Sequence, residues 1–275
     1  MLGQYLITFR EALEAALITA IIIAYLARTG RRNLVPYVWY GVAFSLMASL
    51  LLGVTLWLIY GVLPKTYQLL FEAAGAYAAV VVLTSAVYWM ATREGRIREE
   101  VEKRVEAAAS RGAKVGLASL SFTVTFREGL ETVIFLTPFF LADALATSAG
   151  AALGSLTALL LSFGIFALGM KINLRRFFFI SSVLLILIAG GLAGYGTHEL
   201  LEYLEHAGLE LGWLAEPAYD LGIPEGSPFH HKGFIGSVLA VMLGYAVKAE
   251  WARVIVHTLY LSVALPTVIQ VYKQK

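Results

Sequence analysis

Two short stretches carry groups that an otherwise apolar chain has no ordinary use for. Thr8-Phe9-Arg10-Glu11-Ala12-Leu13-Glu14 returns as Thr125-Phe126-Arg127-Glu128-Gly129-Leu130-Glu131, with only Ala12 exchanged for Gly129. On a helix the two glutamates of each copy share a face, and each arginine sits four residues before the second glutamate, within reach to brace it. Both copies lie in runs long enough to cross a bilayer, where an ionisable group is costly and marks a functional site by default. With no cysteine in the chain and no histidine in either motif helix, Glu11, Glu14, Glu128 and Glu131 make an oxygen-rich ligand set. Hard cations favour such a set, and ferric iron, calcium and manganese all fit; ligand softness alone does not choose among them. Each ionised motif carries one arginine and two glutamates, a net charge of minus one. The pair therefore gives minus two, and Glu72, in the outer third of the third apolar run, would bring the total to minus three, enough to neutralise a trivalent ion.

The elements that must position these groups follow from composition. The chain has 275 residues, 59% of them hydrophobic and 15% charged, which reads as a polytopic membrane protein. The lack of cysteine excludes disulfides, thiolate metal sites and cysteine nucleophiles. The first apolar run starts almost at Met1 and is interrupted by Arg10, Glu11 and Glu14, so it reads as a span rather than a cleavable signal. Spans need about 20 mostly apolar residues. Seven runs qualify: Gly3–Ala27, Pro36–Val62, Tyr67–Ala91, Val115–Leu141, Ala149–Met170, Phe177–Thr197 and Trp251–Tyr272. The piece from Gly233 to Val247 is too short to cross comfortably and reads as re-entrant or interfacial, with an eighth span as the competing count.

Basic residues collect on the cytoplasmic side. With the N-terminus outside, the inner loops hold Arg28, Arg31 and Arg32, then the run from Arg93 to Lys114, then Lys171, Arg175 and Arg176, and last Lys273 and Lys275. The outer loops hold only Lys65, Lys232, Lys248 and Arg253, which favours seven spans and a cytoplasmic C-terminus in the cell membrane. The motifs open the first and fourth spans, so the repeat unit is three helices, and an odd unit reverses its direction across the membrane. The expected fold is all-α, with seven transmembrane helices, an inverted repeat of three plus three and one extra C-terminal helix. Residues 1–91 form the first repeat, 92–114 a charged cytoplasmic linker and 115–197 the second repeat. Residues 198–250 form an acidic external loop with the short segment, and 251–275 the last helix and tail. At 1.5 Å per residue, Glu11 lies about 12 Å from the outer end of its span and Glu128 about 20 Å from the inner end of its own. Both approach the midplane, where inverted-repeat transporters hold their substrates. The competing reading, a structural Arg-Glu clamp in each copy, is weakened by the inversion-related duplication.

The doubled motif Arg10-Glu11-Ala12-Leu13-Glu14 and Arg127-Glu128-Gly129-Leu130-Glu131, in the first and fourth of seven spans, resembles the iron/lead transporter family of high-affinity iron permeases. Supporting matches are Glu72, Leu83-Thr84, Trp89-Met90 and His198-Glu199-Leu200. The resemblance implies uptake of iron, generally as ferric ion, with the motif glutamates as ligands and iron as transported substrate rather than cofactor. It also implies delivery by a separate ferroxidase or extracytoplasmic iron-binding protein. Arg10 and Arg127 are expected to orient the glutamates. Rival readings are a permease for another cation such as lead or manganese, and an intramembrane metalloenzyme.

Other polar groups need sorting. His198-Glu199-Leu200-Leu201-Glu202 opens like a zinc protease signature but has Glu202 where the second histidine is required, so it does not make an enzyme. His198, Glu202 and His206 recur at four-residue spacing and, with Glu199, are candidates for collecting metal at the outer mouth. His230-His231 could collect metal in the same way, with interfacial packing as the competing reading, while His257 reads as a hydrogen-bonded packing residue and Asp143 as a helix cap. Of the many glycines, Gly129 stands out because it flanks Glu128 and admits close approach. No Gly-x-x-x-x-Gly-Lys-Ser/Thr loop is present, and the basic residues follow the membrane side rather than one patch, so nucleotide and nucleic-acid binding have no support.

Overall fold

A computed structural model describes residues 1–93, 97–110, 113–167, 173–209, 211–230 and 233–274. Met170, Lys171, His231, Lys232 and Lys275, named above, lie outside the described residues, as do Glu94, Arg96, Arg111 and Glu210 and the side chains of Arg93 and Arg98. The long apolar runs become helices α1 (Leu2–Arg28), α2 (Val35–Val62), α3 (Lys65–Arg93), α5 (Ala113–Ala142), α6 (Ala144–Ala167), α7 (Leu174–His206) and α9 (Trp251–Lys273). Between them lie the charged α4 (Ile97–Ser110) and the short α8 (Phe234–Leu243). Local signals set several boundaries. Pro36 occupies the first turn of α2, where a missing N–H costs nothing. Asp143 accepts from the Ala146 N–H at 2.9 Å to cap α6, and Asn173 accepts from the Arg176 N–H at 3.0 Å to cap α7.

Five of these helices, α2, α3, α6, α7 and α9, are long and apolar enough to cross a membrane with at most two charges in the spanning window. The 27-residue α1 and 30-residue α5 are as long, and each carries the three charges of its motif. Trp39, Phe44 and Leu50 on α2, Leu153 and Phe163 on α6, and Leu259 and Val263 on α9 are exposed large hydrophobics that suit contact with lipid. The chain is an all-α, multi-pass membrane protein. The ten residues of α8 extend only about 15 Å, too short to cross.

The sixth apolar run does not stop at Thr197. As α7 it continues to His206, so His198, Glu199, Glu202 and His206 stand on its last turns rather than in a loop. Gly208, at φ +79°, ends it: the Leu209 N–H reaches back to the Leu204 carbonyl at 3.0 Å, a left-handed stop that glycine adopts without strain. Beyond it, β1 (Pro217–Asp220) pairs antiparallel with β2 (Lys248–Glu250), placing Pro217 opposite Glu250 and Asp220 opposite Lys248. The acidic loop is thereby tied to the head of α9.

Helices α1 and α5 run in opposite directions. Gly3 of α1 lies against Phe139 near the end of α5, and Leu26 near the end of α1 shares a core cluster with Leu117 near the start of α5. The motifs face each other at the middle of this crossing. Each motif helix is also packed along a helix from the far part of the chain, α1 on α6 and α5 on α2, while α3 packs on α7. The two seats match closely. A Cβ added at Gly150 of α6 would meet the Met1 carbonyl, the Gln4 Cβ and the Tyr5 N; one added at Gly41 of α2 would meet the Ala118 carbonyl, the Ser121 Cβ and the Phe122 N. Those contacts are the same three positions on α1 and α5 when the motifs are superposed. Tyr5 stacks on Phe9 at 5.8 Å just as Phe122 stacks on Phe126 at 5.2 Å. At the end of the bundle away from Met1, α4 buries Val101 and Val105 against Ile22, Leu26 and Leu117. Its outer face pairs Glu102 with Arg28 at 2.9 Å and Glu106 with Arg31 at 2.8 Å.

Candidate metal site

Arg10 is 1% exposed and braces both carboxylates of its own motif, with Nη1 2.6 Å from Glu11 Oε1 and Nη2 2.9 Å from Glu14 Oε1. The second contact is an ion pair without hydrogen-bond alignment. The other motif is built differently. Arg127 donates from Nε to Glu131 Oε1 at 2.8 Å, and its guanidinium lies 4.2 Å from the centre of the Trp89 ring on α3. With 42% of its side chain exposed, Arg127 is far more open than Arg10. A guanidinium is attracted to an aromatic face, so the pull of Trp89 helps hold Arg127 to one side. Glu128 is left without an ion pair among the described residues.

Between the two helices, Glu11, Glu128 and Glu131 are all buried and each offers a carboxylate oxygen, the three lying within 4.8 Å of one another. Ligands on opposite sides of an ion bound at about 2.0–2.6 Å stand about 4–5 Å apart, so these oxygens can surround one cation. Glu11 Oε2 and Glu128 Oε2 are shielded from solvent and lack a hydrogen-bond partner among the described residues. Buried carboxylates in that condition are costly, and an incoming cation removes the cost. Glu14 is the motif glutamate outside this trio, paired, as Glu11 is, with Arg10.

A cavity of about 420 Å³ between α1, α2, α5 and α6 reaches Glu11 and Glu128 past Trp57, Thr132 and Thr147. Thr147 lies 3.4 Å from Gln4 Nε2, so this cavity approaches the carboxylates from the end of the bundle that holds Met1. Its wall includes Gly129, where a Cβ would stand 2.1 Å from Ser49 Oγ on α2. Gly129 thus lets α2 close onto α5 beside Glu128.

Glu72 does not join the converging carboxylates. The Tyr60 hydroxyl donates to its Oε1 at 2.6 Å, and the Tyr195 hydroxyl donates to its Oε2. Glu199 is buried one turn beyond Tyr195. His198 turns to Glu250, Nδ1 to Oε1 at 3.1 Å, with Nε2 3.5 Å from Glu202, while exposed His206 lies 2.8 Å from the Glu202 carbonyl. Among the described residues these outer groups do not bring three ligand atoms together. Asp143 caps α6 as expected. Trp89, Tyr60, Tyr195 and Ser49 are the participants that sequence reasoning did not assign. Trp89 was noted only as part of the family resemblance, and nothing local to the other three marks a role.

The whole length bears on identity. Residues 1–270 match the sequence model of a family described as the iron permease FTR1 family. The chain is a member of that family. A relative in Archaeoglobus fulgidus, itself without an assigned function, is 44% identical over 265 residues, covering 96% of this chain and 93% of that protein. Proteins named ferrous iron permease EfeU are 34% identical over 270 residues in Escherichia coli O6:H1, covering 96% of this chain and 94% of theirs, and 33% identical in Yersinia pestis, covering 96% and 92%. No solved structure shows a significant match to the chain. In this FTR1-family permease the doubled motif is therefore part of a likeness that runs through nearly every helix.

Proposed function

We propose that the protein imports iron across the membrane through a site made by Glu11, Glu128 and Glu131, with Arg10 and Arg127 as the positioning cations. The observation that carries this reading is the approach of three buried carboxylates from two oppositely directed helices, two of them with unpaired oxygens. The proposed frame is seven spans with an inverted three-plus-three repeat, N-terminus outside. The reversed α1 and α5 and the equivalent seats at Gly41 and Gly150 support it. Charge favours inward movement, since each elementary charge gains about 2.3 kcal/mol per 100 mV of negative interior.

The ferrous ion is the better-supported cargo. Both motifs ionised carry four glutamates and two arginines, a net charge of minus two, which one divalent ion neutralises. A trivalent ion calls for a third negative charge, and Glu72 is engaged by Tyr60 and Tyr195. The relatives' name, ferrous iron permease, points the same way. A separate ferroxidase belongs to the ferric reading, as does the direct involvement of Glu72. Uptake of radioactive iron into sealed vesicles, under reducing and oxidising conditions and at matched protein levels, tests both parts. Glu11→Gln, Glu128→Gln and Glu131→Gln are each expected to abolish uptake, and reduced iron to be the better substrate. Undiminished uptake by the triple variant would end the reading. A stronger requirement for Glu72 than for Glu128 would move the site outward, and preference for manganese or lead in a competition panel would change the cargo.

A further inference from the structure

We propose that a second pocket, at the head of α9, binds an oxyanion of phosphate chemistry, independently of the iron site. The cavity, about 270 Å³, lies where the end of α8 and the β1–β2 pair meet α9, and is walled by Tyr219, Leu239, Leu243, Gly244, Arg253 and His257.

Its two nitrogen-bearing side chains are unusually idle. Arg253 makes no hydrogen bond or ion pair among the described residues, and its Nε is shielded from solvent. The acid nearest in sequence, Glu250, gives Oε1 to His198 at 3.1 Å, and its Oε2, shielded and without a hydrogen-bond partner among the described residues, makes no ion pair with Arg253. His257, one helical turn on and so on the same face of α9, has an Nδ1 that is likewise shielded and unpartnered. The sequence suggests a hydrogen-bonded packing role for it; the packing is present, and among the described residues Nδ1 has no hydrogen bond.

The backbone makes room for this arrangement. Gly244 closes α8 in the left-handed region at φ +64°, and a Cβ there would stand 2.6 Å from His257 Nδ1. On the other side, Gly194 of α7 faces the Arg253 stem, where an added Cβ would lie 3.5 Å from Cγ.

A half-buried guanidinium and an imidazole ring together can supply donors to an oxyanion. Arginine is the side chain best suited to phosphate, through its planar fork of donors. Leu239 and Leu243 leave room for a short apolar stem beside the charged group. Trp251, exposed at the head of α9, is a residue type enriched where membrane meets water. The phosphate therefore comes either from a lipid head group or from a free ion, and the two sources are separable.

The test uses the full chain in detergent, with inorganic phosphate titrated by calorimetry and phosphatidylglycerol retention followed by native mass spectrometry, a neutral glycolipid serving as control. Binding of inorganic phosphate identifies a free-ion site, and selective retention of phosphatidylglycerol identifies a lipid site. In either case Arg253→Gln is expected to weaken binding about tenfold or more, the loss of a charge-assisted hydrogen bond. Arg253→Lys, which keeps the charge and loses the fork, should fall between the unaltered protein and Arg253→Gln. Glu128→Gln should leave this binding unchanged while abolishing iron uptake, so the two sites fail separately. Absence of both kinds of binding in the unaltered protein, or equal binding by unaltered protein and Arg253→Gln, would overturn the proposal.

Discussion

Replacing Gly129 by alanine tests whether the seat beside Glu128 is as tight as described. The new Cβ would stand 2.1 Å from Ser49 Oγ and 2.9 Å from Ser49 Cβ, against an ordinary contact of 3.4 Å or more. Relief by helix separation alone requires α2 to back away from α5 by about 1 Å, opening a packed interface, and overpacking of this kind costs about 1–3 kcal/mol. Relief by turning the serine breaks its 2.9 Å bond to the Ser45 carbonyl, at about 1 kcal/mol, and still leaves the Cβ atoms too close. The single variant is therefore expected to lower thermal stability in detergent by about 1–3 kcal/mol, despite the gain of about 0.5–1 kcal/mol that alanine brings over glycine inside a helix. Adding Ser49→Gly removes the obstructing atoms and exchanges the glycine across the interface, so the double variant should recover most of the loss. The assay is paired: thermal unfolding, and iron affinity measured as displacement of a competing chelator. Full stability and affinity for Gly129→Ala with Ser49 intact would refute the tight approach of α2 to α5.

Arg10→Gln should be strongly destabilising, about 3–5 kcal/mol, because it leaves two buried carboxylates without their cation. Arg127→Gln should cost less in unfolding assays, since the guanidinium, unlike that of Arg10, is open to water, braces one carboxylate rather than two, and has a contact with Trp89 worth about 1 kcal/mol or less. Anaerobic ferrous iron should raise the unfolding temperature, with a stabilisation of about 2.7 kcal/mol at a hundredfold excess over Kd, and Glu128→Gln should remove the rise. The α4 clasp should loosen in acid. Hydrogen bonds from Arg31 and then Tyr25 hold the exposed Glu106 carboxyl below its ordinary range, so its contribution is present above the ordinary carboxylate pKa and is lost as pH falls through the lowered value. Hydrogen exchange of α4 amides should show that loss in the unaltered protein, and Glu106→Gln should flatten it.

The motif was legible because charge inside an apolar run is expensive and a match at six of seven positions is improbable by chance. That Glu11, Glu128 and Glu131 can meet followed from the three-span repeat unit, which sets the two motif helices in opposite directions. That Glu14 lies outside the trio did not, since it depends on how the side chains pack at the crossing, which spacing along the chain does not give. The fate of Glu72 was hidden for the same kind of reason: its tyrosines come 12 residues before it and 123 after it, and only packing brings them together. Asp143 was readable as a cap because its partner is three residues away. The extension of α7 to His206 was missed because Glu199, Glu202 and Glu205 looked like a solvated loop, although glutamate is a good helix former and the stop signal stood further on at Gly208. The four-residue strand β1 carries no periodicity long enough to read.

The exchange of partners between the two ends of the chain has a consequence for biogenesis. α1 takes its seat on α6, and α2 forms its seat for α5, so the first three helices enter the bilayer before the surfaces they fit have been synthesised. Until then Arg10, Glu11 and Glu14 have only one another for company in the lipid. A nascent chain arrested after α3 should therefore be a prime target for membrane quality control, and severing the connection near α4 should yield fragments that mature only when both are made together.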